Sequence, residues 1–181
     1  MGRRINSGLA SGVRGQVSIE NYELISKLVA QAVPGDINLA DPKYNDFHDY
    51  IERRKDKDSE GNFDFAAHGG PKSVEIYVNG KTHEVDWRTV AKIIKGDKKY
   101  YRGQPIKLLS CSTGKLDNGF AQNLANKLNT IVYAPRTTLW AESDGSYYIS
   151  ESRTGSIREE FRIFYPRKGR SRWIVQNVEV F

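Results

Sequence analysis

Strand-like and helix-like segments alternate along residues 63–135, and this alternation limits the folds open to the chain more than any other feature. "FDFAAH" predicts one strand, and "PIKLLSC" and "TIVYAP" predict two more. An amphipathic helix over residues 117–128, with Phe120, Leu124 and Leu128 on one face, separates the last two strands. Strands that alternate with helices form parallel sheets, because each helical crossover returns the chain to the same edge. We therefore expect an α/β fold whose mainly parallel sheet is flanked by helices.

A hairpin and a capped helix separate the first strand from the second. "SVEIYVNGKTHEV", residues 73–85, alternates apolar and polar residues about the pair Asn79-Gly80, the dipeptide that best fits a two-residue hairpin turn. Asp86 then provides an N-cap for "WRTVAKIIK", and Gly96 provides its end. This segment predicts an antiparallel hairpin followed by a crossover helix.

The chain before residue 62 lacks this alternation. Residues 1–16 predict a flexible lead-in, and residues 17–61 predict an N-terminal helical segment with helices over 17–33 and 43–54. "PGDINLADPKYND" between the two helices has the composition of a loop, and "RRKDKDSEGN" predicts a charged loop. No obvious strand pair is expected before the strand that carries His68.

Residues 62–181 are expected to form the α/β catalytic region of a protein with one domain overall. Three short segments after residue 136 predict a strand-rich C-terminal extension: "YYIS", "FRIFYP" and "WIVQNVEVF". Asp144-Gly145 and Lys168-Gly169 mark turns between them.

Composition narrows the function classes. The chain has no apolar run long enough to span a membrane, and its start lacks the apolar region of a signal peptide. A single cysteine cannot form an internal disulfide, which fits a reducing compartment. One cysteine and three dispersed histidines give no tight metal-ligand spacing, so we expect no metal or other cofactor. The net charge of +6 includes one clean basic patch, residues 167–172, without the repeated aromatic residues of a nucleic-acid stacking surface.

Two predicted strands end on reactive side chains. "FAAHGG" ends the first strand on His68, and "LLSCSTG" ends another on Cys111. Active sites of open parallel sheets form beyond the carboxyl ends of the strands, so the two side chains are expected to meet there. A histidine beside a cysteine favours the thiolate and later donates a proton to a leaving group. The backbone N–H groups of Gly69 and Cys111 are candidates for an oxyanion site.

These two motifs resemble the His-Gly and Cys motifs of the caspase-like cysteine peptidases of clan CD. The similarity is closest to the CHAT and toxin protease-domain type, found in bacterial polymorphic toxins and effectors, and it covers about residues 62–140. Ser110 replaces the alanine of the CHAT-type pattern. The resemblance implies a caspase-like sheet, His68 as acid and base, and Cys111 as nucleophile, without a third orienting residue.

The resemblance also implies a substrate pocket and a biological setting. Loops after the strand "TIVYAP" line the pocket in this family, so Arg136 and Trp140 become candidates for contacts with an acidic or apolar substrate residue. The implied protein is a secreted effector that acts on a protein substrate in the cytoplasm of a target cell. Its partners would include a cognate immunity protein or a host target protein.

Two alternatives remain open at the level of sequence. The same sheet fits a toxin domain that acts on nucleic acid or a nucleotide through its basic tail, with Cys111 structural. It also fits a catalytically inactive interaction module.

Asp64, four residues before His68, lies about 13 Å away along an extended strand. It is therefore expected to have a solvated or structural role rather than to orient the imidazole.

Overall fold

The structure, a computed structural model, describes residues 36–57 and 61–167. The lead-in over residues 1–16, the predicted helix over 17–33, the turn at Lys168-Gly169 and the segment "WIVQNVEVF" lie outside the described residues. The helices are α1 (Phe47–Glu52), α2 (Trp87–Gly96) and α3 (Phe120–Leu128). The strands are β1 (Asp36–Asn38), β2 (Phe63–Ala66), β3 (His68–Gly69), β4 (Val74–Val78), β5 (Lys81–Val85), β6 (Ile106–Leu109), β7 (Val132–Ala134), β8 (Thr138–Ala141), β9 (Tyr147–Ser150) and β10 (Arg162–Phe164).

The main sheet has the strand order β1-β2-β6-β7-β10. Its first four strands are parallel, and β10 runs antiparallel to β7 at the edge. The expectation of an α/β fold with a mainly parallel sheet is therefore confirmed. Strands β2 and β6 are direct neighbours, with Ala66 opposite Leu109 at their carboxyl ends.

Both faces of this sheet are covered. Alternate side chains along a strand point to opposite faces, so Phe63 and Phe65 of β2 pack into a core formed with α2, α3 and the β4–β5 hairpin. Ala66 and Leu109 belong instead to a smaller core with Ile51 of α1 and the apolar residues of β8 and β9. Because α1 and β8 cover this second face, they lie next to the carboxyl ends of β2 and β6.

The hairpin and the capped helix form as predicted. Asn79 and Gly80 adopt positive φ angles of 52° and 77°, as the two-residue turn between β4 and β5 requires. The Asp86 side chain accepts hydrogen bonds from the N–H groups of Arg88 and Thr89 at the start of α2. The hairpin joins β3 in a separate three-stranded sheet of order β3-β4-β5, so His68 leaves the main sheet and pairs with Glu75.

Three local features differ from the sequence-based expectations. The loop-like segment after Pro34 contains β1, which pairs in parallel with β2 and so places a strand before the histidine strand. Thr138–Ala141 forms a separate strand, β8, which pairs with β9 around the predicted turn at Gly145. Arg54 in the predicted charged loop is 4% exposed, because Asp36 and Asp64 surround its guanidinium group.

Among the described residues, no helix combines the length and apolar character needed to cross a bilayer.

Candidate active site

The carboxyl ends of β2 and β6 bring the two predicted catalytic residues to one place. His68 and Cys111 each follow the last paired residue of their strand by two positions. The hydroxyl of Ser110 donates a hydrogen bond of 2.8 Å to the carbonyl of Ala67, which joins the two segments beyond the strands. His68 and Cys111 then line the same cavity, as the parallel sheet predicted.

Gly69 lies against the backbone of Cys111. A Cβ atom at Gly69 would be 2.7 Å from the Cys111 carbonyl oxygen, 2.9 Å from Ser110 Cβ and 3.1 Å from the Cys111 nitrogen. No side chain fits at these distances, so the close approach of the two segments requires glycine. The two residues named as oxyanion candidates are thus in direct backbone proximity.

The cavity has a volume of about 250 Å³ and is partly open to solvent. One wall comes from α1 and the residues just before it, including Asp46, Phe47 and Tyr50. Further lining residues come from β8, which contributes Leu139 and Trp140, and from the segment after β9, which contributes Arg153. His68 and Cys111 line the same cavity, so both residues border the space that a bound molecule would occupy.

Aromatic rings hold the His68 imidazole. The Tyr44 ring meets it edge-on with centroids 5.1 Å apart, and the Phe47 ring lies 5.4 Å away. The Nε2 atom is buried and has no hydrogen-bond partner. Burial lowers the pKa of His68, and the carboxylates of Glu75 and Asp41 oppose this shift only in part. The imidazole is therefore neutral at pH 7, with an unsatisfied nitrogen.

The Cys111 thiol is in a different state from the one expected from its histidine neighbour. Its Sγ lies 3.7 Å from the Leu139 carbonyl oxygen, to which the thiol donates. Burial raises the pKa of Cys111, and its hydrogen bonds to backbone groups offset only part of that shift. The sequence-based expectation of a favoured thiolate is thus not met, because both His68 and Cys111 are neutral at pH 7.

The structure separates the two predicted pocket residues. Trp140 lines the cavity and donates from its indole nitrogen to the Ser150 carbonyl oxygen at 3.2 Å. Arg136 is exposed and acts on Asp117, whose pKa it helps to lower, and it is not part of the cavity wall. Asp64 is buried beside Arg54, so its role is structural and the solvated alternative is wrong.

Two charged residues of the cavity were not foreseen. Asp46 precedes α1 and accepts a hydrogen bond of 3.2 Å from the Tyr50 hydroxyl. Arg153 follows β9 and forms an ion pair of 3.5 Å with Glu142. Each residue lies in a polar segment of ordinary composition, and only the packing of α1 and β8 against the strand ends brings them together.

Within residues 36–57 and 61–167, no three His, Cys, Asp or Glu side chains cluster closely enough to hold a metal ion.

Comparison with known proteins identifies a family without an assigned activity. The model of a family described as Domain of unknown function (DUF8616) matches residues 35–149, more than half of the 181-residue chain. That range includes β1 to β8, His68 and Cys111. No curated protein and no solved structure matches the chain.

Proposed function

Because the chain belongs to the DUF8616 family, whose function is unknown, we propose an activity from the site itself. The proposed activity is that of a cysteine peptidase, or a related acyl-transfer enzyme. The observation that carries it is that one cavity is lined both by His68, whose Nε2 is buried and has no hydrogen-bond partner, and by the only thiol of the chain. A nucleophile beside a base at the carboxyl ends of parallel strands is the arrangement that covalent catalysis needs.

The proposed reaction has two halves. His68 Nε2 accepts the Cys111 proton while Sγ attacks the substrate carbonyl carbon, and the carbonyl oxygen becomes an oxyanion near the Gly69 and Cys111 backbone. The oxyanion collapses, the C–N bond breaks, and His68 returns the proton to the leaving amine. Water then attacks the thioester while His68 accepts its proton. That proton returns to the sulfur as the acid product leaves.

The neutral pair is compatible with this scheme. A neutral imidazole at pH 7 can accept a proton. Because the pKa of the Cys111 thiol is raised, its deprotonation becomes favourable only when Sγ bonds to the carbonyl carbon of a bound substrate in the same step. We therefore propose that proton transfer accompanies nucleophilic attack, instead of preceding it as a stable thiolate–imidazolium pair.

The cavity walls support an extended peptide as the substrate. Trp140, Phe47 and Leu139 provide apolar contacts, while Asp46 provides a hydrogen-bond acceptor and Arg153 a hydrogen-bond donor. The resemblance to toxin protease domains extends the proposal to a bacterial effector that acts on a protein in the cytoplasm of a target cell. A cognate immunity protein would then be its second partner.

The first test compares wild-type protein with Cys111→Ala and His68→Ala in a mixture of denatured proteins. New N-termini, identified by mass spectrometry, would report cleavage. We expect wild-type protein to produce them and both variants to lose them. His83→Ala is the matched control, because His83 lies on β5 and does not line the cavity, and it should keep full activity. No cleavage by wild-type protein, or equal cleavage by Cys111→Ala, would reject the proposal.

A second candidate is a catalytically inactive interaction module with a structural cysteine. The burial of Cys111 and its contact with the Leu139 carbonyl favour this alternative. It predicts that a peptide acyloxymethyl ketone fails to label Cys111 in folded wild-type protein. Labelling that requires His68 would instead support the peptidase.

A further inference from the structure

The segment that connects Cys111 to α3 is held on one side by the main sheet. We call residues 112–119 the Cys loop. The Ser112 N–H donates to the Thr137 carbonyl oxygen at 2.8 Å, and the Gly114 N–H donates to the Pro135 carbonyl oxygen at 2.8 Å. A Cβ atom at Gly114 would be 2.6 Å from the Ala134 carbonyl oxygen, so the loop lies directly against the end of β7.

Arg162 of strand β10 contacts the same loop. Arg162 Nη1 donates to the carbonyl oxygen of Gly114 at 2.6 Å and to that of Lys115 at 3.3 Å. Its Nη2 donates to Asp117 Oδ1 at 2.6 Å. Arg162 stands opposite Ala134 in the β10–β7 pairing, so Gly114 is enclosed between the end of β7 and one guanidinium group.

Arg167 extends this set of contacts. Its Nη2 donates to the Asp117 carbonyl oxygen at 3.2 Å, and its Nη1 donates to the Asn118 side chain. The Arg167 N–H also donates to Asn126 Oδ1 of α3 at 2.8 Å. One arginine of β10 and a second arginine just after this strand therefore contact four residues of the Cys loop: Gly114, Lys115, Asp117 and Asn118.

The contacts to carbonyl oxygens matter more than the ion pair. Asp117 is 78% exposed at its side chain, and exposed ion pairs contribute little. Charge-assisted bonds from a planar guanidinium group to backbone carbonyls are stronger and fix direction as well as distance. Arg162 is thus suited to fix the backbone of a segment that lacks regular secondary structure.

We propose that Arg162, assisted by Arg167, is a positioning residue for the nucleophile. It holds the Cys loop against β7, so that the Cys111 Sγ and N–H keep their places relative to His68 and Gly69. This inference rests on the proposed peptidase function. It adds that the C-terminal edge strand β10 is part of the catalytic apparatus, although none of its residues lines the cavity.

The test compares Arg162→Gln and Arg162→Lys with Arg88→Gln. Arg88 is a matched control because it also forms an ion pair, with Asp86 at 2.8 Å, and lies over an aromatic ring, that of Trp87. Two rates are measured at a temperature where every variant is folded: hydrolysis of a fluorogenic peptide copied from a mapped cleavage site, and alkylation of Cys111 by iodoacetamide against pH.

We expect the two rates to move in opposite directions in Arg162→Gln. The kcat should fall about 10-fold or more with little change in KM, because a small displacement of a nucleophile is costly. Alkylation should become faster, with its midpoint shifted to lower pH, because a loosened Cys loop admits water to the thiol. Arg162→Lys should recover part of the kcat, and Arg88→Gln should change neither rate.

Equal behaviour of Arg162→Gln and Arg88→Gln in both rates would overturn the inference. A parallel fall of both rates would also overturn it, since a displaced Cys loop should expose the thiol and not protect it. Unfolding would also expose the thiol and lower hydrolysis, which is why both rates are compared only where every variant is folded. If wild-type protein cleaves no peptide, the proposed function fails by itself. Amide hydrogen exchange then tests whether Arg162 holds the Cys loop in place. The Gly114 and Lys115 amides should exchange at least about 10-fold faster in Arg162→Gln, and unchanged exchange would reject this role of Arg162.

Discussion

Gly69 and Gly70 are adjacent in the sequence but have different steric surroundings. A Cβ atom at Gly69 would come within 2.7 Å of the Cys111 backbone, whereas at Gly70 the nearest atom, the Ser73 carbonyl oxygen, is 3.6 Å away. The first distance forces one backbone segment to move, and the second is an ordinary van der Waals contact. The two glycines therefore form a natural pair of test and control positions.

Gly69→Ala should lower peptide hydrolysis by about 10-fold or more, because it separates His68 from Cys111. The free energy of unfolding should fall by about 1–3 kcal/mol, the usual cost of overpacking. Gly70→Ala should change that free energy by less than about 1 kcal/mol. Steady-state kinetics and urea unfolding measure both effects. Equal activity of the two variants would show that the close approach at Gly69 does not matter for catalysis.

The protonation states of His68 and Cys111 predict an unusual pH dependence. Burial lowers the pKa of His68 below its ordinary 6.5, so the acid limb of kcat/KM should lie below pH 6.5. Glu75 raises the pKa of His68, so Glu75→Gln should move that limb to still lower pH. Burial raises the pKa of Cys111 above its ordinary 9.0, so alkylation of the free enzyme should have its midpoint above pH 9.0.

Rates of peptide hydrolysis measured across the pH range check the acid limb, and rates of Cys111 alkylation check the alkylation midpoint. A coupled thiolate–imidazolium pair would give the opposite result, with alkylation already fast below neutral pH. An acid limb that does not respond to Glu75→Gln would show that a group other than His68 controls it.

At the scale of the elements, a buried charged cluster joins α1 to the two strands β1 and β2. The Arg54 side chain, 1% exposed, donates to Asp36 and to Asp64 Oδ2 at 3.1 Å, and its Nη1 also donates to the Ile51 carbonyl oxygen at 2.9 Å. Both carboxylates are nearly buried, with side-chain exposures of 7% and 6%. The cluster fixes the end of α1, and thereby the cavity wall that α1 provides.

Arg54→Met should destabilise the protein by about 3–5 kcal/mol, because it leaves two buried carboxylates without their main positive partner. Combining it with Asp36→Asn and Asp64→Asn should recover part of the loss. Arg53→Met is the control, since Arg53 is exposed and lies 5.9 Å from the Tyr50 ring, and we expect a change below about 0.5 kcal/mol. Similar unfolding free energies for Arg53→Met and Arg54→Met would contradict this account.

At the scale of the whole molecule, Asp64 links the stability of the fold to pH. Burial raises its pKa from 3.8 to about 6, although Arg54 and Lys107 act in the opposite direction. The folded protein thus binds a proton at Asp64 between about pH 4 and pH 6 more readily than the unfolded chain does. The contribution of Asp64 to the free energy of unfolding therefore decreases as pH rises through this window.

The stability of Asp64→Asn relative to wild-type protein should consequently increase from about pH 4 to about pH 7. Urea unfolding of both proteins at the two pH values gives this difference without reference to the other titrating groups. A difference that is constant with pH, or that changes in the other direction, would show that Arg54 outweighs burial at this carboxyl group.

Local patterns in the sequence predicted the elements that depend on near neighbours. Asn79-Gly80 predicted the hairpin because few dipeptides accept two consecutive positive φ angles. Asp86 predicted the start of α2 because its carboxylate meets amides only two and three residues away. The buried strands β2 and β6, joined through a helical crossover, predicted a parallel pair and hence the shared location of His68 and Cys111.

Features that depend on distant parts of the chain emerged only from packing. Strand β1 has three residues, too few for a period to be visible, and it is fixed by pairing with β2. Arg54 resembles its charged neighbours in the sequence, and only Asp36 and Asp64 make its burial possible. The raised pKa of Cys111 and the hold of Arg162 on the Cys loop likewise need β8 and β10 in place. Backbone preferences depend on a few neighbouring residues, so short sequence patterns predict them. Desolvation and long-range contacts exist only after the chain has folded, so such patterns do not predict them.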